Sequence, residues 1–197
     1  MFQKLVRLSL ALFVLCSILS FTATAQDSYG KKSEMKGFKA EFMTQFNGVA
    51  DKILQLADAM SQENYTWRPM EGVRCVSEVF MHIAGANVFM PSFIGGDMPE
   101  GMDMQAAMKM EKETTNKDDV KKHLMSSFDN VRKLIKNMKD ADLDKEVTIE
   151  MMQITTTYRG LLLILSGHNN EHLGQSIAYA RMNKVVPPWS QPSDDID

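Results

Sequence analysis

The chain has 197 residues, 44% hydrophobic and 24% charged, with 22 basic and 25 acidic side chains and a formal net charge of -3. This composition is typical of one folded globular domain and differs from that of disordered chains. The acidic balance argues against nucleic acid as a partner, because proteins that bind nucleic acid concentrate positive charge. With only two cysteines, the chain is also no disulfide-stapled miniature.

The first 25 residues have the pattern of a secretory signal peptide. Two basic residues precede an apolar run over residues 8–21, which closes on Ala-Thr-Ala at residues 23–25. A run of about 14 residues is shorter than the roughly 20 that a membrane-spanning helix needs. We therefore expect cleavage before Gln26 and a secreted, periplasmic protein with no membrane span in its mature form.

Apolar residues recur every three or four positions in four later segments, as in a helix with one buried face. These segments cover residues 38–60, 76–94, 116–138 and 157–183. Between Gly95 and Asn116, glycines, Pro99 and scattered acids interrupt the period, so we predict a connection of roughly 20 residues there. Residues 147–149 are compatible with a short extended piece.

Four helices of about 20 residues, without a repeated strand pattern, predict an all-α fold and a four-helix bundle. The long connection suits a crossover between the second and third helices, which lets these two helices run parallel. The bundle is expected to occupy residues 26–190, and residues 191–197 are expected to form a frayed acidic tail.

Two histidines lie one turn apart on the inward face of the last predicted helix. Side chains four residues apart stand one above the other on a helix, so His168 and His172 are within reach of one metal ion. Burying two imidazoles without partners costs about 1–3 kcal/mol each, so either a metal ion or a core hydrogen-bond network must satisfy them. His82, beside the apolar face of the second predicted helix, favours the metal because it adds a third nitrogen. Three neutral imidazoles with an open coordination position are typical of catalytic zinc, iron or nickel sites.

Glu78 and Gln175 are the candidate catalytic residues beside these histidines. Glu78 lies one turn before His82, where it would orient that ring or act as a base, but its position three residues after Cys75 also fits a capping box. Gln175 shares the face of the two paired histidines and is placed to bond a ligand or a bound water. His123 lies on a helix face with polar residues and is predicted to be solvated.

Several motifs of this chain resemble the DinB-like superfamily. They are Trp67-Arg68-Pro69 with Glu71-Gly72, Val76 and Glu78 before His82-Ile83-Ala84, and His168-Asn169-Asn170-Glu171-His172-Leu173-Gly174-Gln175. The resemblance spans essentially the whole mature chain. It implies an up-down-down-up four-helix bundle, a homodimer, and a divalent metal ion held by His82, His168 and His172. Because related branches include YfiT-like metal-dependent hydrolases and transferases that use low-molecular-weight thiols, it also implies a small-molecule substrate and activation of water or a thiol.

Two alternatives without catalysis remain open. Five methionines lie between Met98 and Met110, and thioether sulfur is a soft ligand suited to Cu(I), so the protein would bind or buffer copper. Methionine also fills irregular gaps in ordinary cores. In the other alternative, the bundle holds its metal only as a folding clip and catalyses no reaction.

Overall fold

The structure is a computed structural model that describes residues 35–191. The predicted signal peptide and residues 192–197 of the predicted tail therefore lie outside the described residues. The described chain is mostly helical, with five α-helices and one two-stranded sheet. The helices are α1 (Gly37–Ala59), α2 (Val76–Ser92), α3 (Met104–Glu113), α4 (Lys117–Asn137) and α5 (Tyr158–Met182), and the strands are β1 (Glu146–Ile149) and β2 (Ile154–Thr157).

The four long helices α1, α2, α4 and α5 correspond to the four periodic segments of the sequence, with ends within two residues of those predicted. Side-chain caps begin two of them. The Asn116 side chain accepts hydrogen bonds from the first turn of α4, and the Thr157 hydroxyl accepts one from the Gly160 N–H in α5. Because such caps satisfy orphan backbone donors, each contributes about 1 kcal/mol.

The prediction that residues 95–116 form a connection without a helix is wrong, because this stretch contains α3. Asp103 begins α3, and its carboxylate accepts a hydrogen bond from the Ala106 N–H at 2.7 Å. The glycines and the proline that interrupt the period all precede residue 102, so nothing opposes a helix beyond that point. Since α3 has no buried residue, it also lacks the strong apolar face on which the prediction relied.

A small antiparallel hairpin precedes α5. Its register pairs Glu146 with Thr157 and Ile149 with Ile154, so β1 contains the extended piece expected at residues 147–149. The partner strand β2 was not expected from the sequence pattern. Both strands are rich in β-branched residues, which fit a pleated surface, and the left-handed Gln153 helps to turn the chain between them.

The core lies between the four long helices. Helix α1 packs against α4 and α5, helix α2 packs against the same two, and α3 packs on α2. The largest fully buried apolar side chains come from all four long helices and include Phe46, Ile53, Leu56, Phe80, Ile83, Leu124, Phe128, Ile135 and Leu161. These contacts confirm a mostly helical fold, whereas the up-down-down-up topology stays a prediction. None of the helices within residues 35–191 is long and apolar enough to cross a membrane.

Candidate metal centre

Three histidines predicted as metal ligands lie together where α2 packs against α5. His82 comes from α2, and His168 and His172 come from α5. One ring nitrogen of each lies within 4.8 Å of the others, and the Nε2 atoms of His82 and His168 are 3.1 Å apart. Two nitrogens bound to one tetrahedral zinc ion at 2.0–2.1 Å are themselves about 3.3 Å apart. The donors are therefore of the type that a metal ion binds, and the His82–His168 spacing matches that of two ligands on one ion, while the full set lies within 4.8 Å.

Glu111 of α3 determines the proton position on His82. Its Oε2 atom is 3.1 Å from His82 Nδ1, and its Oε1 atom accepts a hydrogen bond from Arg74 Nε at 2.7 Å. Because an ionised carboxylate only accepts hydrogen bonds, we assign the His82 proton to Nδ1. The Nε2 atom of His82 then carries a lone pair directed toward the other two histidines.

Gln175 determines the proton position on His172 in the same way. Its Oε1 atom is 2.8 Å from His172 Nδ1, and its Nε2 atom donates to the Tyr179 hydroxyl at 3.1 Å. That hydroxyl in turn donates to the Arg74 carbonyl oxygen at 3.1 Å. Since the amide oxygen faces the ring, His172 donates from Nδ1 and keeps the lone pair on Nε2.

His168 has no such partner on its outer side. Its Nδ1 atom is buried and makes no hydrogen bond. A proton on Nδ1 places two Nε2 lone pairs, those of His168 and His82, 3.1 Å apart. A proton on Nε2 satisfies this contact but leaves a buried acceptor without a partner. A cation bound by the Nε2 atoms would replace the lone-pair repulsion with two favourable contacts, so the donor set fits a metal ion.

The surroundings keep the rings of His82 and His168 neutral. Burial, assisted by the charge of Arg74, lowers the pKa of His82 below its usual value, although Glu111 opposes the shift. Burial and the neighbouring rings of His172 and His82 lower the pKa of His168 to about 4. Metal ions bind the neutral imidazole, so no proton has to be displaced from these two nitrogens near neutral pH.

Glu78 makes its contacts away from the three imidazoles. Its Oε2 atom accepts a hydrogen bond from the Cys75 backbone N–H at 2.8 Å, as the capping box predicts. Its Oε1 atom is 3.1 Å from Lys112 Nζ and 3.5 Å from Arg68 Nη2. Burial raises the pKa of Glu78, but these hydrogen bonds and charges outweigh burial and lower it. The carboxylate in contact with His82 is Glu111, while a role of Glu78 as a base stays a prediction.

Sequence reasoning missed Glu111 because it lies in the stretch predicted as a connection. One signal was available. Asp103 is a good capping residue, and neither glycine nor proline follows it before Asn116, which is typical of a helix start. A helix beginning there would have placed the acids of residues 111–113 in its last turn. Its packing against His82 still depends on a tertiary contact.

Next to the cluster, a buried polar network joins α5 to α2 and α4. The Asn169 side chain is 1% exposed, and its Nδ2 atom donates to Asn87 Oδ1 at 2.9 Å. Asn87 donates to the Ser127 hydroxyl at 3.4 Å, and this hydroxyl donates to the Leu124 carbonyl. The network holds α5 in the rotation that directs the neighbouring histidines at α2.

The chain is similar to known proteins over most of its described length. A family model for the DinB superfamily matches residues 45–176. A solved DinB-like protein from Bacillus cereus ATCC 10987 aligns with a TM-score of 0.64 and 15% identity, covering 75% of this chain and 93% of that protein. A DinB-like protein from Bacillus subtilis aligns with a TM-score of 0.58 and 19% identity, covering 78% of this chain and 96% of that protein.

A third similar structure is a mycothiol-dependent maleylpyruvate isomerase. It aligns with a TM-score of 0.55 and 14% identity, and the alignment covers 71% of this chain but 62% of the isomerase chain. This chain therefore spans less than two thirds of the length of that enzyme. At such low identity, the likeness to all three structures concerns the fold alone. No curated protein matches the chain.

Proposed function

Since this chain belongs to the DinB superfamily, we propose that His82, His168 and His172 hold a divalent metal ion, zinc, nickel or iron, in a hydrolase or transferase site for a small molecule. The orientation of the donor set supports this proposal most directly. Glu111 and Gln175 contact the Nδ1 atoms of His82 and His172, respectively. The Nε2 atoms of these two rings are therefore free to bind a cation. The proposed frame for the site is an up-down-down-up four-helix bundle.

Three nitrogen ligands leave one position of a tetrahedral ion open, as in catalytic rather than closed structural sites. When bound there, the metal would lower the pKa of a coordinated water or thiol and supply a nucleophile near neutral pH. His82 and His168 are half-buried, which supports access for a small molecule from the solvent. The similarity to a mycothiol-dependent isomerase supports a thiol as the alternative to water.

Arg74 and Glu111 are the charged side chains that act on His82. Glu111 holds the proton on the Nδ1 atom of His82, which makes the Nε2 atom a stronger metal ligand. Arg74 bonds to Glu111 and is 38% exposed at its side chain, so its guanidinium is available to an anionic group of a substrate. We assign Arg74 to binding and orienting the substrate, since a guanidinium stays charged and cannot act as a base.

The proposed location and assembly rest on the sequence and the family resemblance. A signal peptide over residues 1–25 would deliver the protein to the periplasm, and related proteins suggest a homodimer. Mass spectrometry of the exported protein should give a chain that begins at Gln26. Light scattering should give twice the mass of that chain, and a monomer at all concentrations would contradict the dimer.

Elemental analysis of the purified mature protein tests the metal site. We expect about one divalent ion per chain, because one nitrogen from each of three rings converges on one place. His172→Ala removes one ligand and should lose most of the metal. His123→Ala, which removes a histidine outside the cluster, is the matched control and should keep it. Full metal content in His172→Ala would contradict the site.

An activity screen separates an enzyme from a folding clip. The metal-loaded protein is tested on ester and amide substrates and on transfer of a small thiol to an electrophile, with His172→Ala as the comparison. Turnover that is lost in His172→Ala supports the proposal. Loss of stability in this variant, without turnover by the wild-type protein in any assay, would assign the metal to folding alone.

A further inference from the structure

A cavity of about 370 Å³ lies between α2, α3 and α4 and is not lined by any of the three clustered histidines. Small-molecule sites in proteins typically enclose 300–1,000 Å³ and are mostly apolar with a few polar groups. The volume and position of this cavity therefore suit an organic ligand that binds independently of the metal centre.

Most of the cavity wall is apolar and rich in methionine. It includes Met81, Val88 and Phe89 of α2, Met102 of the connection and Met110 of α3. Methionine side chains are flexible and polarisable, so they adapt to apolar ligands of different shape. Met102 and Met110 are only half-buried. An apolar ligand would cover surface that the protein leaves partly exposed to water.

The polar part of the wall comes from α4. It consists of Asp119, Lys122, His123, Ser126 and Ser127. His123, predicted to be solvated, is half-buried in this wall. Among the described residues, the side chains of Lys122 and His123 make no hydrogen bond or ion pair. The α4 side of the cavity thus offers a cation, an imidazole and two hydroxyls, opposed by the single carboxylate of Asp119.

Methionine side chains suit both a Cu(I) ion and an apolar organic ligand, and the size of the cavity distinguishes between these two ligands. A Cu(I) ion must touch the sulfur atoms that bind it. In contrast, about 370 Å³ has room for about a dozen groups of water or methylene size at about 30 Å³ each. In addition, Met104 and Met108 of the proposed copper segment are exposed. The cavity favours an organic chain over a metal ion.

We propose that this cavity binds an aliphatic monocarboxylic acid of about ten carbons. Its chain lies against the methionines and Phe89, and its carboxylate lies at Lys122 and His123. Lys122 supplies the opposite charge, and the imidazole N–H supplies a hydrogen bond. This proposal does not depend on the proposed metal chemistry.

Calorimetric titration of the mature protein with decanoate, below its micelle concentration, tests the proposal. We expect saturable binding at one site. Gly85→Leu should weaken it at least about tenfold, because Gly85 lines the cavity and a side chain built there meets nothing within 4 Å. This variant should fold, since leucine favours a helix more than glycine does. Gly48→Leu, at an equally open position of α1 outside the cavity, is the control and should bind decanoate normally.

A second pair of variants tests the head group. Lys122→Gln should weaken decanoate binding by up to about fivefold, because Lys122 is exposed and an exposed ion pair contributes at most about 1 kcal/mol. Lys136→Gln, on the exposed surface of the same helix, should bind as the wild type does. Decylamine should bind more weakly than decanoate, because its ammonium group would lie beside the like charge of Lys122.

Four results would overturn the proposal. They are undiminished decanoate binding by Gly85→Leu, equal binding of decylamine, decanoate binding that a chelator abolishes, and saturable Cu(I) binding in place of decanoate binding. The chelator result would assign the carboxylate to a metal ion at the histidines. The Cu(I) result would assign the methionine-lined wall to a soft metal.

Discussion

At the scale of single residues, Glu111 is the carboxylate that contacts the histidine cluster. One of its carboxylate oxygens lies 3.1 Å from His82 Nδ1, and the other accepts from Arg74 at 2.7 Å. Its side chain is 13% exposed, so water and salt screen these contacts less than they screen surface pairs. A carboxylate behind a metal-binding imidazole fixes the ring and increases its basicity.

We therefore expect Glu111→Gln to weaken zinc binding about 10-fold to 100-fold. Glutamine keeps the size of the side chain but loses the charge that holds the His82 proton on Nδ1. The affinity is measured by competition with a chromophoric chelator. Glu113→Gln, which removes an exposed carboxylate near Lys109, is the control. Equal zinc affinities in Glu111→Gln and the wild type would contradict the role of Glu111.

At the scale of elements, a polar network sets how α5 faces the other helices. Asn169 is buried between α5 and α2 and donates to Asn87, which in turn donates to Ser127 of α4. The buried amide nitrogens of Asn169 and Asn87 are both paired in this arrangement, although the Oδ1 atom of Asn169 makes no hydrogen bond. Because an unpaired buried amide nitrogen costs free energy, this arrangement is favoured over rotated ones. Because Asn169 follows His168 directly, the same rotation brings the histidines of α5 toward His82.

Adjacent asparagines of α5 allow a matched test of this network. Asn169→Ala should lower the free energy of unfolding by about 1–3 kcal/mol, because it leaves the buried Asn87 oxygen without its donor. Asn170→Ala, at an exposed position that bonds only to the Ser166 carbonyl of its own helix, should change it by less than about 0.5 kcal/mol. Urea unfolding of both variants measures the difference. Similar losses in the two variants would show that the network does not stabilise the helix packing.

The long helices and the paired histidines could be predicted because they follow local rules. An apolar residue every three or four positions fixes the buried face of a helix, and the spacing from His168 to His172 places both rings on one face. The α3 helix escaped prediction because it buries no residue. Glu78 was a candidate for orienting His82 because it is near in sequence, whereas Glu111 is 29 residues away. No periodic pattern encodes the packing of α3 on α2 that brings Glu111 to His82.

At the scale of the whole molecule, the buried histidines make folding depend on pH. The pKa of His168 is lowered to about 4 by burial and by the neighbouring rings, whereas an unfolded histidine titrates near 6.5. Between these pKa values the unfolded chain binds more protons than the folded chain. The stability that the neutral ring contributes is therefore present above about pH 6.5 and is lost as the pH falls toward 4.

We expect urea to unfold the metal-free protein at a lower concentration near pH 5 than near pH 7.5. The drop should be smaller in His168→Gln, which cannot gain this proton. His123→Gln, which removes a histidine outside the cluster, should keep the drop seen in the wild type. Equal pH dependence in the wild type and His168→Gln would show that other groups cause it.

The attachment of α3 to the rest of the protein has a further consequence. This helix buries no residue of its own, and the pairs Arg74–Glu111 and Lys112–Glu78 join it to the start of α2. Dissolved salt screens such ion pairs, with a screening length of about 3 Å at 1 M, whereas apolar contacts persist. Lys112 is the more exposed cation of these two pairs, so a rise in ionic strength should weaken its pair with Glu78 first and loosen α3 from α2. Metal binding should then weaken at high salt while the four long helices stay folded.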